Sequence, residues 1–480
     1  MTSNITPRRN MMKQQLSVIL AAALFAATPA LAADPAPANG TITPFNCDFE
    51  PSCEVSPGIY GALQAPATSK FNLSVGGFIK LDYVYNSVNL GPTSFLTPSA
   101  GAPKSSSLAA QKDQSIFSVR QSRLWFKSDG PKLLGAKSRG YLEFDFHNTN
   151  ANANSGENLG ATPRLRQAYG NLDWGNTQLL FGQAGDTFTG GYTENSIDFS
   201  GGTAGTGTRN PQIRLTQRVN LTKDNSLKFS LALQQPYVSN FQNGGVTANG
   251  TLTNVGGNTA TSADSWTAVP NVVGQAFFIS KALGVSPGYF GQSLNNFTIG
   301  VFGLYGKQDI LGVNKSVNSY GAGAYTFIPV LNSKDGKSRA GTLTVEGQGY
   351  VAGNLPNFYG TAASVVGTPA DPKPAKGYGV KAQTLYFPTQ DLSFAAGYGR
   401  RGARDLDSYK GRNNFEKYNQ TIYANASYDL NAAIRVAVEY QNLFTKFGNV
   451  TNVATAGSNL GGTADSGEAH IGRLAFFYFF

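Results

Sequence analysis

From about Lys70 to the last residue, Phe480, apolar and polar side chains take turns along long stretches of the chain. The first stretch is the clearest. Phe71, Leu73, Val75, Gly77, Ile79, Leu81, Tyr83 and Tyr85 share one parity, and Asn72, Ser74, Gly76, Lys80, Asp82 and Asn86 share the other, with Phe78 and Val84 as exceptions. A period of two places one face of a strand against apolar surroundings and the other against water. The run outlasts the five or six residues usual in soluble sheets and suits a tilted strand that crosses about 9–11 residues of hydrocarbon.

The pattern recurs at 137–147, 212–222, 226–235 and 432–444, and more weakly at 115–128, 163–173, 176–183, 268–281, 296–306, 317–328, 339–352, 376–387, 391–400 and 415–429. The last segment, 467–480, sets His470, Gly472, Leu474, Phe476, Tyr478 and Phe480 on one parity. These segments predict an all-β fold, a transmembrane antiparallel up-and-down β-barrel of about 16 strands, an even count as closure of a single bacterial chain favours. Short connections such as 222–226 and 429–431 alternate with long polar ones at 88–114, 148–162, 184–211, 236–267, 353–375 and 445–466. That asymmetry predicts tight periplasmic turns and long extracellular loops.

Composition separates this reading from a soluble one. Aromatic residues reach 12% and charged residues only 14%, where a water-soluble domain carries about a quarter charged residues. Arg8, Arg9 and Lys13, the apolar run Leu16–Phe25 and the Ala30-Leu31-Ala32 site read as a secretory signal peptide, 1–32, with a run too short for the ~20 residues of a membrane helix. Residues 33–69 are rich in Pro and Ala, show no periodicity, and read as a periplasmic or pore-plugging segment before the barrel, 70–480. Their two cysteines, Cys47 and Cys53, are the only ones in the chain, and in an oxidising compartment they suit a small disulfide loop better than a metal site. The net charge is +10, or +7 once the three N-terminal cations are removed. The cations are scattered one or two per strand, which argues against nucleic acid as a partner and for a mildly cationic pore.

Three segments, Val75–Ser87, Val119–Ser128 and Arg164–Gly170 with Leu180–Gln183 and Asp186–Phe188, resemble trimeric outer-membrane porins of the DcaP-like family and, more distantly, the phosphate-selective porins. The resemblance covers mainly 70–190 and the last strand. It implies a sixteen-stranded homotrimer in a Gram-negative outer membrane, in contact with its lipid and lipopolysaccharide. It also implies a third loop folded into each pore and passage of small anions such as dicarboxylates. The helical coiled-coil extension of that family has no counterpart in 33–69.

A porin selects by the width and charge of its constriction. The expected lumen-facing selectivity residues are Arg120, Arg123, Arg139, Arg164, Arg166, Arg214 and Arg218, since Arg on the lipid face near the midplane would cost ~2–4 kcal/mol. Arg120 and Arg123 have opposite parities, so only one faces inward unless a bulge intervenes. Each Arg could instead pair with a lumenal acid such as Glu143 or Asp145. Residues 184–211, with Asp186, Glu194, Asp198 and Arg209, are the candidate constriction loop. No cofactor is expected, nor an enzyme: His147 and His470 are the only histidines and no serine motif surrounds them. A non-channel barrel acting as adhesin or as a sheath for a partner is the alternative.

Overall fold

The computed structural model describes residues 63–68, 71–90, 101–149, 161–190, 195–199, 203–204, 209–236, 269–288, 293–310, 315–355, 365–367, 371–409, 413–450 and 463–480. The signal peptide, Cys47, Cys53 and Glu194 lie outside the described residues.

The strands are β1 (Leu63–Thr68), β2 (Phe71–Asn86), β3 (Gln114–Ser118), β4 (Arg123–Asp129), β5 (Lys137–Thr149), β6 (Ala161–Asp173), β7 (Thr177–Gly185), β8 (Arg209–Asn220), β9 (Asn225–Gln234) and β10 (Asn271–Pro287). There follow β11 (Leu294–Ile310), β12 (Lys315–Leu331), β13 (Thr342–Gly353), the short β14 (Val365–Gly367) and β15 (Pro372–Pro374), β16 (Lys376–Phe387), β17 (Leu392–Ala403), β18 (Phe415–Asp429), β19 (Ile434–Gly448) and β20 (Ser466–Phe479). Apart from the separate β14–β15 pair, they form one 18-stranded antiparallel sheet. β3 and β4 are two halves of one spanning strand, and β1 only extends the edge of β2, so sixteen strands span the barrel.

Closure falls between the first and last spanning strands. Phe78 to Asn86 of β2 pair with Phe479 to Ile471 of β20, and the Gly77 and Phe480 backbones exchange hydrogen bonds. No edge of the sheet is left to lipid, as a spanning sheet requires. β1 lies in the stretch expected to lack periodicity, and it pairs with β2 just beyond the end of β20. Seven turns sit at one end of the barrel and eight loops at the other, with 311–314 the one short connection at the loop end and 332–341 the longest turn.

Burial follows the parity. On β20, Ala469, Ile471, Arg473, Ala475, Phe477 and Phe479 are buried, while Phe476, Tyr478 and Phe480 are exposed. Ile79, Leu81, Phe181, Ile213, Leu215, Leu231, Val301, Phe394 and Ile422 continue the exposed apolar belt. The inner parity carries Lys80, Asp82, Glu143, Gln178, Thr216, Gln348, Gln383, Asn425 and Glu439, all buried and polar. A sheet with its apolar face outward and its polar face inward is a membrane barrel.

Candidate functional site

Two bulges decide which cations reach the interior. Between β3 and β4, the three residues 79–81 of β2 face the four residues 119–122, because Asp82 pairs with Ser118 and Phe78 with Arg123. The extra residue switches the inward parity from even to odd, and both Arg120 and Arg123 are buried inside. On β6 the second bulge leaves Arg166 between the Glu143–Gln167 and Phe144–Leu165 pairs.

The arginines of β4–β6 converge on two acids. Arg164 holds Asp145 with both Nε and Nη2, at 2.9 and 2.5 Å. Arg166 Nη1 reaches Asp145 at 2.9 Å and its Nε bonds Glu143. Arg123 lies 3.8 Å from Glu143, and Arg209 is within electrostatic reach of it. Nearer the turn end, Arg139 pairs with Asp129 at 2.9 Å. Arg214 and Arg218 project inward from β8. Arg214 forms no hydrogen bond or ion pair among the described residues, and its Nε is buried without a partner. Arg218 stands opposite Lys228 on the same inner face, a like-charge rung in the ladder.

Summed along the inner parity, β4–β9 present Arg123, Lys127, Lys137, Arg139, Arg164, Arg166, Arg214, Arg218 and Lys228 against Asp129, Glu143, Asp145 and Asp173, nine cations to four acids. β13, β16–β20 and β2 present Lys80, Lys381, Arg401, Arg435 and Arg473 against Asp82, Glu346, Glu416, Asp429 and Glu439, five to five.

The loop between β7 and β8 folds inward and docks mainly on the balanced wall. Gln275 donates to the Thr187 and Thr189 carbonyls at 2.8 and 2.6 Å, and Phe188 packs edge-on against Phe302 and Tyr350. The Asn195 N–H donates to Gln383 and its carbonyl accepts from Asn425 at 2.7 Å. The Ile197 N–H donates to Glu439 and its carbonyl accepts from Lys80, both at 2.7 Å. Further along, Thr203 bonds Thr421, and its carbonyl fills the space where a side chain at Gly399 would stand. Phe199 and Ala204 hold positive φ of 58° and 72°, a conformation non-glycine residues keep only when their surroundings impose it.

The loop acids face the protein. Asp198 accepts from Ser196 at 2.7 Å and lies 4.0 Å from Arg473, while Asp186 accepts from the Phe188 N–H at 2.7 Å and from Asn210. The Phe199 ring sits 5.7 Å from that of Phe78, with the Lys80 and Arg123 cations over it.

The sequence reading did not single out the cluster beneath that tip. Lys80 binds Asp82 at 2.9 Å and also Gln121, and Arg473 meets Asp82 at 3.2 Å and Glu439 at 3.8 Å. Its signal was present: Lys80 and Asp82 alternate on the polar face of β2, and Arg473 is the one charged residue on the inner parity of β20. A second inward loop was also missed. Ala102 donates to Thr445 at 2.8 Å, Lys104 to Asn414 at 2.6 Å, and Val88, Leu90 and Ala102 pack on Val84, Leu443 and Ile471.

A closed sixteen-stranded barrel with a polar interior, an apolar belt and an inward third loop has the fold of the outer-membrane porins. It is similar to the outer membrane channel DcaP of Acinetobacter baumannii, at 17% identity over 88% of this chain and 100% of that one, with a TM-score of 0.62. Weaker likenesses are to Salmonella typhi OmpF in complex with daunomycin (15%, 87% and 100%, TM-score 0.48) and to an anion-selective porin from Comamonas acidovorans (10%, 86% and 100%, TM-score 0.46). No protein-family model matches the chain, and no curated protein matches it by sequence.

Proposed function

We propose that the chain is an outer-membrane porin through which small hydrophilic solutes diffuse, with a preference for anions of the size of dicarboxylates. The observation that carries this reading is the nine-to-four excess of cations on the inner face of β4–β9, the wall opposite most of the docking points of the third loop. Fixed cations in a narrow lumen raise the local concentration of anions and lower that of cations. Arg suits the role because its guanidinium stays charged and offers carboxylate or phosphate a planar fork.

Arg214, with no acid bound to it among the described residues, is the leading solute contact. Arg120, Arg123, Arg164, Arg166, Arg209 and Arg218 supply the surrounding field, and Arg139 the turn-end mouth. Asp186 and Asp198 shape the loop from within. The protein acts as a homotrimer behind a cleaved signal peptide, with Cys47 and Cys53 bonded.

Purified protein in planar bilayers, under a salt gradient, tests the proposal. The expected record is a three-step conductance with a reversal potential of anionic sign. A silent membrane would favour an adhesin or a sheath, and a cation-selective current would remove the anion preference.

A further inference from the structure

We propose that the outer face of β16–β19 carries a binding site for the phosphate groups of an outer-leaflet glycolipid, centred on Arg400. The inference rests on the outer-membrane placement proposed above and is independent of conduction.

Arg400 lies on the lipid-facing parity of β17. Its neighbours Gly399 and Arg401 are buried on the inner side, whereas Phe394 and Tyr398 on its own parity are exposed. The guanidinium is held in place: its carbon stands 3.9 Å above the Tyr418 ring, and its Nε donates to the Tyr378 hydroxyl at 3.0 Å. Stacking on one ring and bonding a second orients the planar fork while leaving its charge uncancelled.

Its height is set by the strand. On β18 the outward aromatics Tyr418 and Tyr428 bracket Gln420, which accepts from the Tyr398 hydroxyl, and the apolar positions Ile422, Ala424 and Ala426. That interval, at roughly 3.3 Å per residue and about 40° of tilt, spans about 25 Å, the height of the apolar band of an outer-membrane barrel. Tyr428 and Tyr386 then lie toward the turn-side boundary, and Tyr378 and Tyr418, both level with Gly402 in the register, mark the loop-side boundary, with Phe394 and Tyr398 between them. The Arg400 backbone lies two residues inside that level, opposite Gln420, and its guanidinium, against Tyr418 and Tyr378, reaches up to where hydrocarbon gives way to headgroups. An outward cation is costly at the midplane and tolerated at this level.

The surrounding charge selects the occupant. Lys376 is bonded to Asp405 at 3.0 Å and Lys446 to Asp465 at 2.6 Å. Arg400, Arg404 and Lys417 have no carboxylate within ion-pair distance among the described residues. Three uncompensated cations at the loop-side rim complement a headgroup bearing two phosphates, and Arg can hold one of these through two parallel hydrogen bonds.

The test is native mass spectrometry of the full-length protein in detergent, titrated with bis-phosphorylated lipid A, on wild type, Arg400→Gln, Arg400→Lys and Arg404→Gln/Lys417→Gln. Heat-modifiability on gels certifies that each variant is folded. Expected are retention of lipid A by wild type and a roughly tenfold weaker affinity in Arg400→Gln, with partial rescue by Lys, which keeps the charge but not the fork. The rim double variant should weaken binding less, and millimolar inorganic phosphate should not displace the lipid. Equal affinity in wild type and Arg400→Gln would overturn the site. So would displacement by free phosphate, which marks a simple anion site, or loss of oligomer without loss of lipid, which marks a contact between copies. Cell fractionation reads the outer-membrane placement separately.

Discussion

The two lumen walls use the same side chains to opposite ends. On β13 and β16–β2 five cations meet five acids, and that charge goes into holding the third loop: Lys80, Glu439 and Arg473 grip Ile197 and Asp198 from below. On β4–β9 nine cations meet four acids, so that wall carries a net positive charge. A charge inside a barrel is thus not in itself a selectivity residue. What distinguishes the walls is the balance of cations to acids along the inner parity, which depends on register and on what the loop covers.

The largest effect is expected where the balanced wall loses a partner. Arg473→Ala takes from Asp82, Asp198 and Glu439 the guanidinium they share, and breaking a buried charge cluster in this way costs roughly 3–5 kcal/mol. Loss of the heat-resistant folded band on gels, at a temperature where wild type keeps it, is the readout. A variant as stable as wild type would mean the cluster is solvated and does not anchor the loop. Next, Phe199→Ala removes the partly buried ring packed on Phe78 and Phe477, at about 2 kcal/mol of lost apolar burial. The barrel should stay folded while single-channel conductance rises and becomes noisier. An unchanged current would place the constriction elsewhere.

Smaller, and aimed at the other wall, is the double change Arg214→Gln and Arg218→Gln. Each charge acts through water at about 1 kcal/mol, so the anion-to-cation permeability ratio should drop roughly fivefold or more. It should drop less at 1 M salt, where screening shortens to about 3 Å. Lys381→Gln, on the balanced wall, should move the reversal potential far less. Equal shifts from the two walls would erase the distinction between them.

Much of this was legible in the alternation, because a period of two is a local property. The parities of β2, β8, β9 and β20 can be read directly, and β16 and β18 have the bounds their patterns predict. What was not legible depends on one residue more or less. The parity conflict of Arg120 and Arg123 dissolves at the bulge over 119–122, which no propensity marks. The exceptions in the first strand have a shared explanation: Phe78 and Val84 break the pattern because loops dock there, Phe199 on the first and Val88, Leu90 and Ala102 around the second. The partition of arginines between ion-paired and not was hidden as well: Arg164 and Arg166 have Asp145 and Glu143 within ion-pair distance, whereas Arg214 has only the loop residue Asp186 within electrostatic reach.

The smallest effect concerns a charge outside both walls. Asp335 sits in the turn between β12 and β13, where one carboxylate oxygen accepts the N–H groups of Lys337 and Ser338 at 2.8 and 2.6 Å and the Ser333 hydroxyl at 3.1 Å. These bonds, the Ser338 one first, favour the ionised form and hold its pKa below the ordinary carboxylate value. With the folded value depressed, the contribution is complete above the unfolded value of about 4 and is lost as pH falls through the folded value. The group is fully exposed, so the effect is confined to the turn. Hydrogen-exchange protection of the Lys337 and Ser338 amides, corrected for intrinsic rates, should be equal at pH 7 and pH 5 and fall only in stronger acid, while the strands keep theirs. Asp335→Asn should lose that acid step but keep part of the protection, because an amide oxygen still accepts. If the step instead falls near neutrality, or extends into β12 and β13, the turn is coupled to the lumen charges and the separation between exposed and walled-in acids fails.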